Sequence, residues 1–240
     1  MSIFKQGPLT PASTTLGILE ENVTGIGVRW HDAWGDVQKV ILTPSEGVAP
    51  LTLTVVGTTP TAVPSVTSGE LITIATSAED FAGINAQVKG ALVKCEAGKP
   101  FKAYCEIKLS EATQSDFLFG LCGIKTDLLV TSVSHGINTA VEGLFFCKLD
   151  NTTTINCHSY LAGTQTAVAA AGTMGVVARE YEIDWDGTLA TFFLDGVKVA
   201  TFSASLPTVS LTLSLNCRAG SAAINTFTIY PGLRVIQARS

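Results

Sequence analysis

Residues 181–200 constrain the fold of this chain more than any other stretch, because they read as three strands joined by two tight turns. Tyr181, Ile183 and Trp185 alternate with Glu180, Glu182, Asp184 and Asp186, the period of two expected of a strand with one buried and one wet face. Asp186-Gly187 and Asp195-Gly196 follow, and an Asp-Gly pair supplies the positive φ that a two-residue hairpin turn needs. A chain carrying this ribbon must place a second layer over its apolar side.

The rest of the sequence offers that layer. Short β-rich runs recur over residues 37–43, 51–56, 70–76, 91–95, 101–109 and 117–124. They continue over 141–149, 153–161, 164–169, 176–185, 189–195, 197–202, 209–217 and 222–236, a spacing that suits two packed sheets. Helix is confined to single short turns near 77–80 and 127–134. Residues 1–36 carry scattered Pro, Thr and Gly with no sustained period and end in a cluster holding Trp30, His31, Asp32 and Trp34. They read as an extended N-terminal arm, and residues 37–240 as one β-sandwich. The expected core includes Tyr181, Ile183, Trp185, Phe192, Leu194, Leu211, Leu213, Leu215, Phe145 and Phe119.

Charged residues make up only 15% of the chain, a bland surface of the kind that neighbours cover. A formal charge of -5, with no Lys/Arg cluster to neutralise a row of phosphates, argues against nucleic acid as a partner. The N-terminus lacks the layout of a secretory signal, and no apolar run reaches the ~18 residues of a membrane span; the expectation is synthesis in a cytoplasm and no membrane partner. Six cysteines are present, but Cys105, Cys147 and Cys217 fall in phase with apolar neighbours. With no Cys-x-x-Cys or Cys/His spacing, they read as reduced buried thiols. Neither a metal nor a cofactor is expected.

The ribbon resembles the Y-x-I-x-W … F-x-x-D-G-x-x-V hairpins of concanavalin-like jelly rolls, carried here by Tyr181, Ile183, Trp185, Phe192, Asp195, Gly196 and Val199. That fold is shared by legume-type lectins, laminin-G modules and laminarinase-type glycosidases, so the resemblance implies an all-β, two-sheet antiparallel jelly-roll sandwich. Leu206-Pro207, residues 211–215, 222–230 and 233–237 resemble the closing strands of the jelly-roll decoration or cement proteins of tailed bacteriophages. Residues 101–109, 117–121 and Thr126-Asp127 are similar to their central strands. This narrower resemblance implies a structural virion protein, made in the host cytoplasm and placed on the capsid exterior. Its partners would be the major capsid protein and copies of itself in a homotrimer. Phe4, Leu9, Leu16 and Ile18 would then be apolar pegs of an arm that orders on a neighbour.

Laminarinase-like enzymes cut β-glycans with carboxylates on alternate positions of one strand, Glu-x-Asp-x-(x)-Glu. Glu182-Ile183-Asp184 is similar to the first half, but Trp185, Asp186, Gly187 and Thr188 follow and the second glutamate is missing. Residues 117–124 and 141–149 offer no such triplet, so the expectation is no catalytic residue and no enzyme. The stripe Glu180, Glu182, Asp184 and Asp186 reads as a solvated or partner-facing surface instead of a cation site, since hard cations gather ligands from looped backbone. Trp30 and Trp34 fit three roles: a plug or anchor for the arm, a partner-protein contact, or a sugar-stacking patch. The last would make the chain a lectin-like, glycan-binding module, the alternative to the capsid reading. His135 and His158 stand alone in the sequence.

Overall fold

The computed structural model describes residues 29–32, 35–41, 51–56, 72–76, 79–130, 135–161, 164–220, 224–230 and 233–238. The expected two-layer body forms from them: a nine-stranded and a seven-stranded sheet, paired antiparallel throughout, with no helix among the described residues. The nine-stranded sheet runs β1 (Arg29–Asp32), β2 (Gly35–Ile41), β16 (Arg234–Ala238), β6 (Phe101–Leu109), β11 (Arg179–Trp185), β12 (Ala190–Leu194) and β13 (Val197–Phe202). β15 (Thr226–Ile229) takes the remaining length of the β6 edge and pairs with β4 (Ile72–Ala75). The seven-stranded sheet runs β10 (Thr164–Thr173), β9 (Thr154–Leu161), β8 (Gly143–Lys148), β7 (Ser115–Cys122), β14 (Thr212–Ala219), β5 (Gly83–Val88) and β3 (Leu51–Val56).

The ribbon behaves as its alternation dictates. β11 is buried at Tyr181, Ile183 and Trp185 and more open between them. At the β12–β13 turn, Asp195 and Gly196 have φ of 50° and 74°, the two left-handed positions of a two-residue hairpin. The β11–β12 connection is longer than expected, since Trp185 pairs with Ala190. Residues 186–189 fill it, with Asp186 Oδ1 accepting the amides of Thr188 and Leu189 at 2.7 and 2.8 Å.

All ten expected core residues are buried. Nine lie between the sheets, where Tyr181 meets the rings of Phe117, Phe119 and Phe146 at 5.2, 6.1 and 5.2 Å. Phe145 belongs instead to a second, separate cluster. Cys105 and Cys217 are buried between the sheets and Cys147 in the second cluster, and all six cysteines are free thiols.

Several strand readings shift. Residues 91–95 contribute only a single bridge, Val93 to Leu211, while β5, which was not expected, is a full member of the seven-stranded sheet. The run 222–236 divides into β15 and β16, and residues 127–130 are not helical. Arg29–Asp32, inside the stretch read as arm, pairs with β2 in the nine-stranded sheet. Phe4, Leu9, Leu16, Ile18 and Trp34 lie outside the described residues, as does the side chain of Trp30.

Candidate binding site on the seven-stranded sheet

Cross-strand register defines two opposite faces of the seven-stranded sheet. Ile84, Phe117, Phe119, Leu144, Phe146, Leu213 and Leu215 face the other sheet. The alternate positions face outward, and they form two zones. Toward β3 the outward row is polar, with Thr54 paired to Asn85, Asn85 to Asn216, Gln87 to Ser214 and Arg218 to Asp116. Toward β9 it is apolar, with Leu118, Cys122, Phe145, Cys147 and Tyr160 forming the second cluster. Gly120 sits where Phe145 crosses, and a Cβ there would come within 2.3 Å of the Leu144 carbonyl oxygen. Only glycine fits that approach of β7 to β8.

An outward sheet face is ordinarily wet, yet Asn85, Asp116, Leu118, Phe145, Asn216 and Arg218 are each at most 1% exposed. The cause is the connection between β7 and β8. Leu128, Leu129 and Val141, from residues 123–142, are buried against Leu118, Phe145 and Cys147. The polar zone is tied to the same connection by amides. Asn85 Nδ2 donates to the carbonyls of Lys125 and Thr126 at 2.8 and 3.2 Å. Gln87 Oε1 accepts the Lys125 amide at 2.9 Å, and its Nε2 donates to the Gly123 carbonyl at 3.2 Å. Residues 123–130 and 135–142 therefore act as a strap across the face.

A partly buried cluster around His135 fastens the strap's far part. His135 Nδ1 lies 2.8 Å from Asp116 Oδ2, and its Nε2 lies 3.6 and 3.7 Å from Asp80 and Asp150. Phe81 lies tilted against the imidazole, with ring centroids 4.3 Å apart. Asp116 Oδ1 accepts the Asp150 amide at 2.8 Å, and Arg218 Nη1 donates to the Val130 carbonyl at 2.9 Å. Burial pulls the Arg218 guanidinium below its usual range, with Asp116 acting against that shift. Lys148 is lowered to about 8 by burial, opposed by Asp116 and Asp150; its ammonium donates to the Thr113 carbonyl at 2.7 Å and the Ser115 hydroxyl at 3.0 Å. His135, alone in the sequence, is thus a hub in space. No grouping of metal-ligating side chains fit to hold an ion occurs among the described residues.

His158, the other isolated histidine, stacks on Phe145 at 5.2 Å, and burial pushes it down to about 4. The unfolded chain takes up this proton below about pH 6.5, and the fold refuses it until about pH 4. Stability held above pH 6.5 is therefore lost as the pH falls through that window. The fold should lose roughly 2 to 3 kcal/mol between pH 7 and 4.5 through this group. Denaturant titrations of the protein and of His158→Gln at both pH values test this, because the difference between them cancels other groups. An equal pH response in both would contradict it.

The carboxylate stripe lies elsewhere, on the outward side of the nine-stranded sheet. Lys102 Nζ bridges Glu182 and Asp184 at 2.8 and 3.3 Å. Burial pushes Asp184 up to about 6, against the pull of Lys102. On the strapped face, β8 presents Gly143, Phe145 and Cys147 outward, and no alternating carboxylate triplet stands on any of β5, β7, β8, β9 or β14.

One cleft stays open where the strap meets β3 and β5. Its volume is about 380 Å³, and Thr54, Gln87, Lys89, Ile124, Thr126 and Asp127 are among its lining residues.

Comparison with solved structures fixes the class of fold as a concanavalin-like jelly roll. The chain is similar to the apo form of Crh5 transglycosylase at 15% identity and a TM-score of 0.56, covering 85% of this chain and 84% of that one. It is similar to a Bacillus licheniformis β-glucanase at 14% identity and a TM-score of 0.54, covering 80% and 93%. The metal-free carbohydrate recognition domain of Emp46p is a further likeness, at 11% identity and a TM-score of 0.53, covering 80% and 88%. No protein-family model and no curated protein matches the chain. The expectation that the chain is not an enzyme is corrected by these findings. Two of the three likenesses are named as enzymes, so this architecture is one on which catalysts are built, and a missing carboxylate triplet is too narrow a ground for exclusion.

Proposed function

We propose that this chain is a structural virion protein, a decoration or cement protein that binds the outer surface of a tailed-phage head and ties major capsid subunits together. The observation that carries this reading is the strapped face: the chain covers its own broad sheet surface, which leaves loops and sheet edges for contact. Several apolar side chains stand in the open on such loops and edges, among them Ile124, Val177, Val197 and Ile224. A low-charge surface and the resemblance of the closing strands support the same reading. Contacts on the order of 1,000 Å² each, repeated by symmetry over a shell, would convert modest affinity into firm retention. Phe4, Leu9, Leu16 and Ile18, with Trp30 and Trp34, are the proposed pegs of the N-terminal region, and a homotrimer is the proposed unit.

Co-sedimentation with intact phage heads tests this. The protein should load at a fixed stoichiometry, and a variant lacking residues 1–28, which retains β1, should fold and fail to load. Heads that take up no protein would overturn the reading, and saturation by the truncated chain would overturn the role of Phe4, Leu9, Leu16 and Ile18.

A second reading, a lectin-like glycan-binding module, is favoured by the open cleft beside Thr54 and Thr126 and by the fold shared with a carbohydrate recognition domain.

A further inference from the structure

We propose that the cleft between β3, β5 and the strap residues 123–127 binds a saccharide that carries a carboxylate. The proposal rests on the glycan-binding reading and gives it a site and a ligand class. At about 380 Å³, the cleft falls at the small end of ligand sites, which run from roughly 300 to 1,000 Å³, room for one or two sugar rings.

Its floor is rigid. The Asn85 and Gln87 amides that line it are tied to the strap backbone, so the floor needs no ordering when a ligand enters. Both Nδ2 protons of Asn85 face carbonyl oxygens, which fixes its Oδ1 as the remaining group. That Oδ1 is itself buried from solvent, so hydrogen bonds to a ligand fall to the rim.

The rim presents what a sugar needs. Thr54 and Thr126 offer hydroxyls, and Ile124, 65% exposed, offers an aliphatic surface to the C–H face of a ring. No aromatic ring lines the cleft among the described residues, so those residues supply no stacking platform of the kind a nucleobase would use.

Charge selects within the saccharides. Lys125 stands 4.0 Å from Asp127, and each offsets the other. Lys89 is exposed at the rim and makes no ion pair among the described residues. It is the cation left for an acidic group on the ligand.

The test uses the full chain on a panel of immobilised oligosaccharides, uronate-bearing, sialylated, sulphated and neutral, followed by titration calorimetry with the strongest of them. A carboxylate-bearing glycan should bind best, Lys89→Ala should weaken it roughly ten-fold or more, and Thr126→Val should weaken it further. Both substitutions are at exposed positions and should leave the thermal midpoint unchanged. Binding that ignores both substitutions would place the saccharide elsewhere and overturn this site while sparing the glycan reading. Preference for sulphated or neutral glycans would overturn the ligand class. Absence of binding to the whole panel would overturn the site and the glycan reading together.

Discussion

Asp116→Ala is expected to remove about 3 to 5 kcal/mol of folding free energy, the cost of deleting a fully buried carboxylate that faces the buried Arg218 guanidinium and the His135 ring. Asp116 has no exposed surface and holds three things at once. Its Oδ2 contacts the His135 imidazole, its Oδ1 takes the Asp150 amide, and its backbone pairs with that of Arg218. Removing the carboxylate leaves the Arg218 guanidinium buried with its charge less compensated, its Nη2 already lacking a hydrogen-bond partner. It also frees the strap at His135, so the loss should appear as reduced stability together with faster hydrogen exchange of the Val130 and Asn138 amides, which bond to Gly136 and Leu128. Asp116→Asn keeps the shape and one acceptor and should cost less. A loss under about 1 kcal/mol in the alanine variant would show that the cluster does not hold the strap.

Tyr181→Ala should cost a similar amount, about 3 to 5 kcal/mol, for a different reason. Its ring is fully buried at the centre of the inter-sheet core, with three phenylalanine rings within 6.1 Å, so truncation opens a cavity that flanking β-strands close only in part. The hydroxyl contributes far less. It donates only to the Met174 sulfur at 3.4 Å, so Tyr181→Phe should change stability by no more than about 1 kcal/mol. Chemical denaturation of the two variants separates ring from hydroxyl, and equal losses would show that the polar contact matters more than the packing.

The layers were legible because they obey a period of two. β11, β12 and β13 follow from Tyr181, Ile183 and Trp185 alternating with acids and from Asp195-Gly196 at the turn. β5 was hidden because it joins Gly83, Asn85, Ala86 and Gln87, residues of weak strand preference, into a strand buried along its whole length. Its polar side chains read as wet, and only the strap makes them dry. Nothing periodic marks the strap itself: Leu128, Leu129 and Val141 find their partners through long-range packing on Leu118 and Phe145. For the same reason Phe145 was read into the inter-sheet core, although its immediate neighbours Leu144 and Phe146 take that side. His135 could not be joined to Asp80, Asp116 and Asp150 by spacing, since three separate segments of chain deliver those carboxylates.

The strap seals the outward face of the seven-stranded sheet. Cys122 and Cys147 lie beneath it, both fully buried free thiols pushed well above the ordinary thiol range by burial. Site-resolved labelling of the native protein with a thiol reagent, read by mass spectrometry, measures the seal directly. Cys122 and Cys147 should label only as fast as the core thiols Cys105 and Cys217, at the rate of global unfolding. Rapid labelling of Cys122 and Cys147 while Cys105 and Cys217 stay protected would contradict the account, because it would mean that the face is open to solvent in the folded protein.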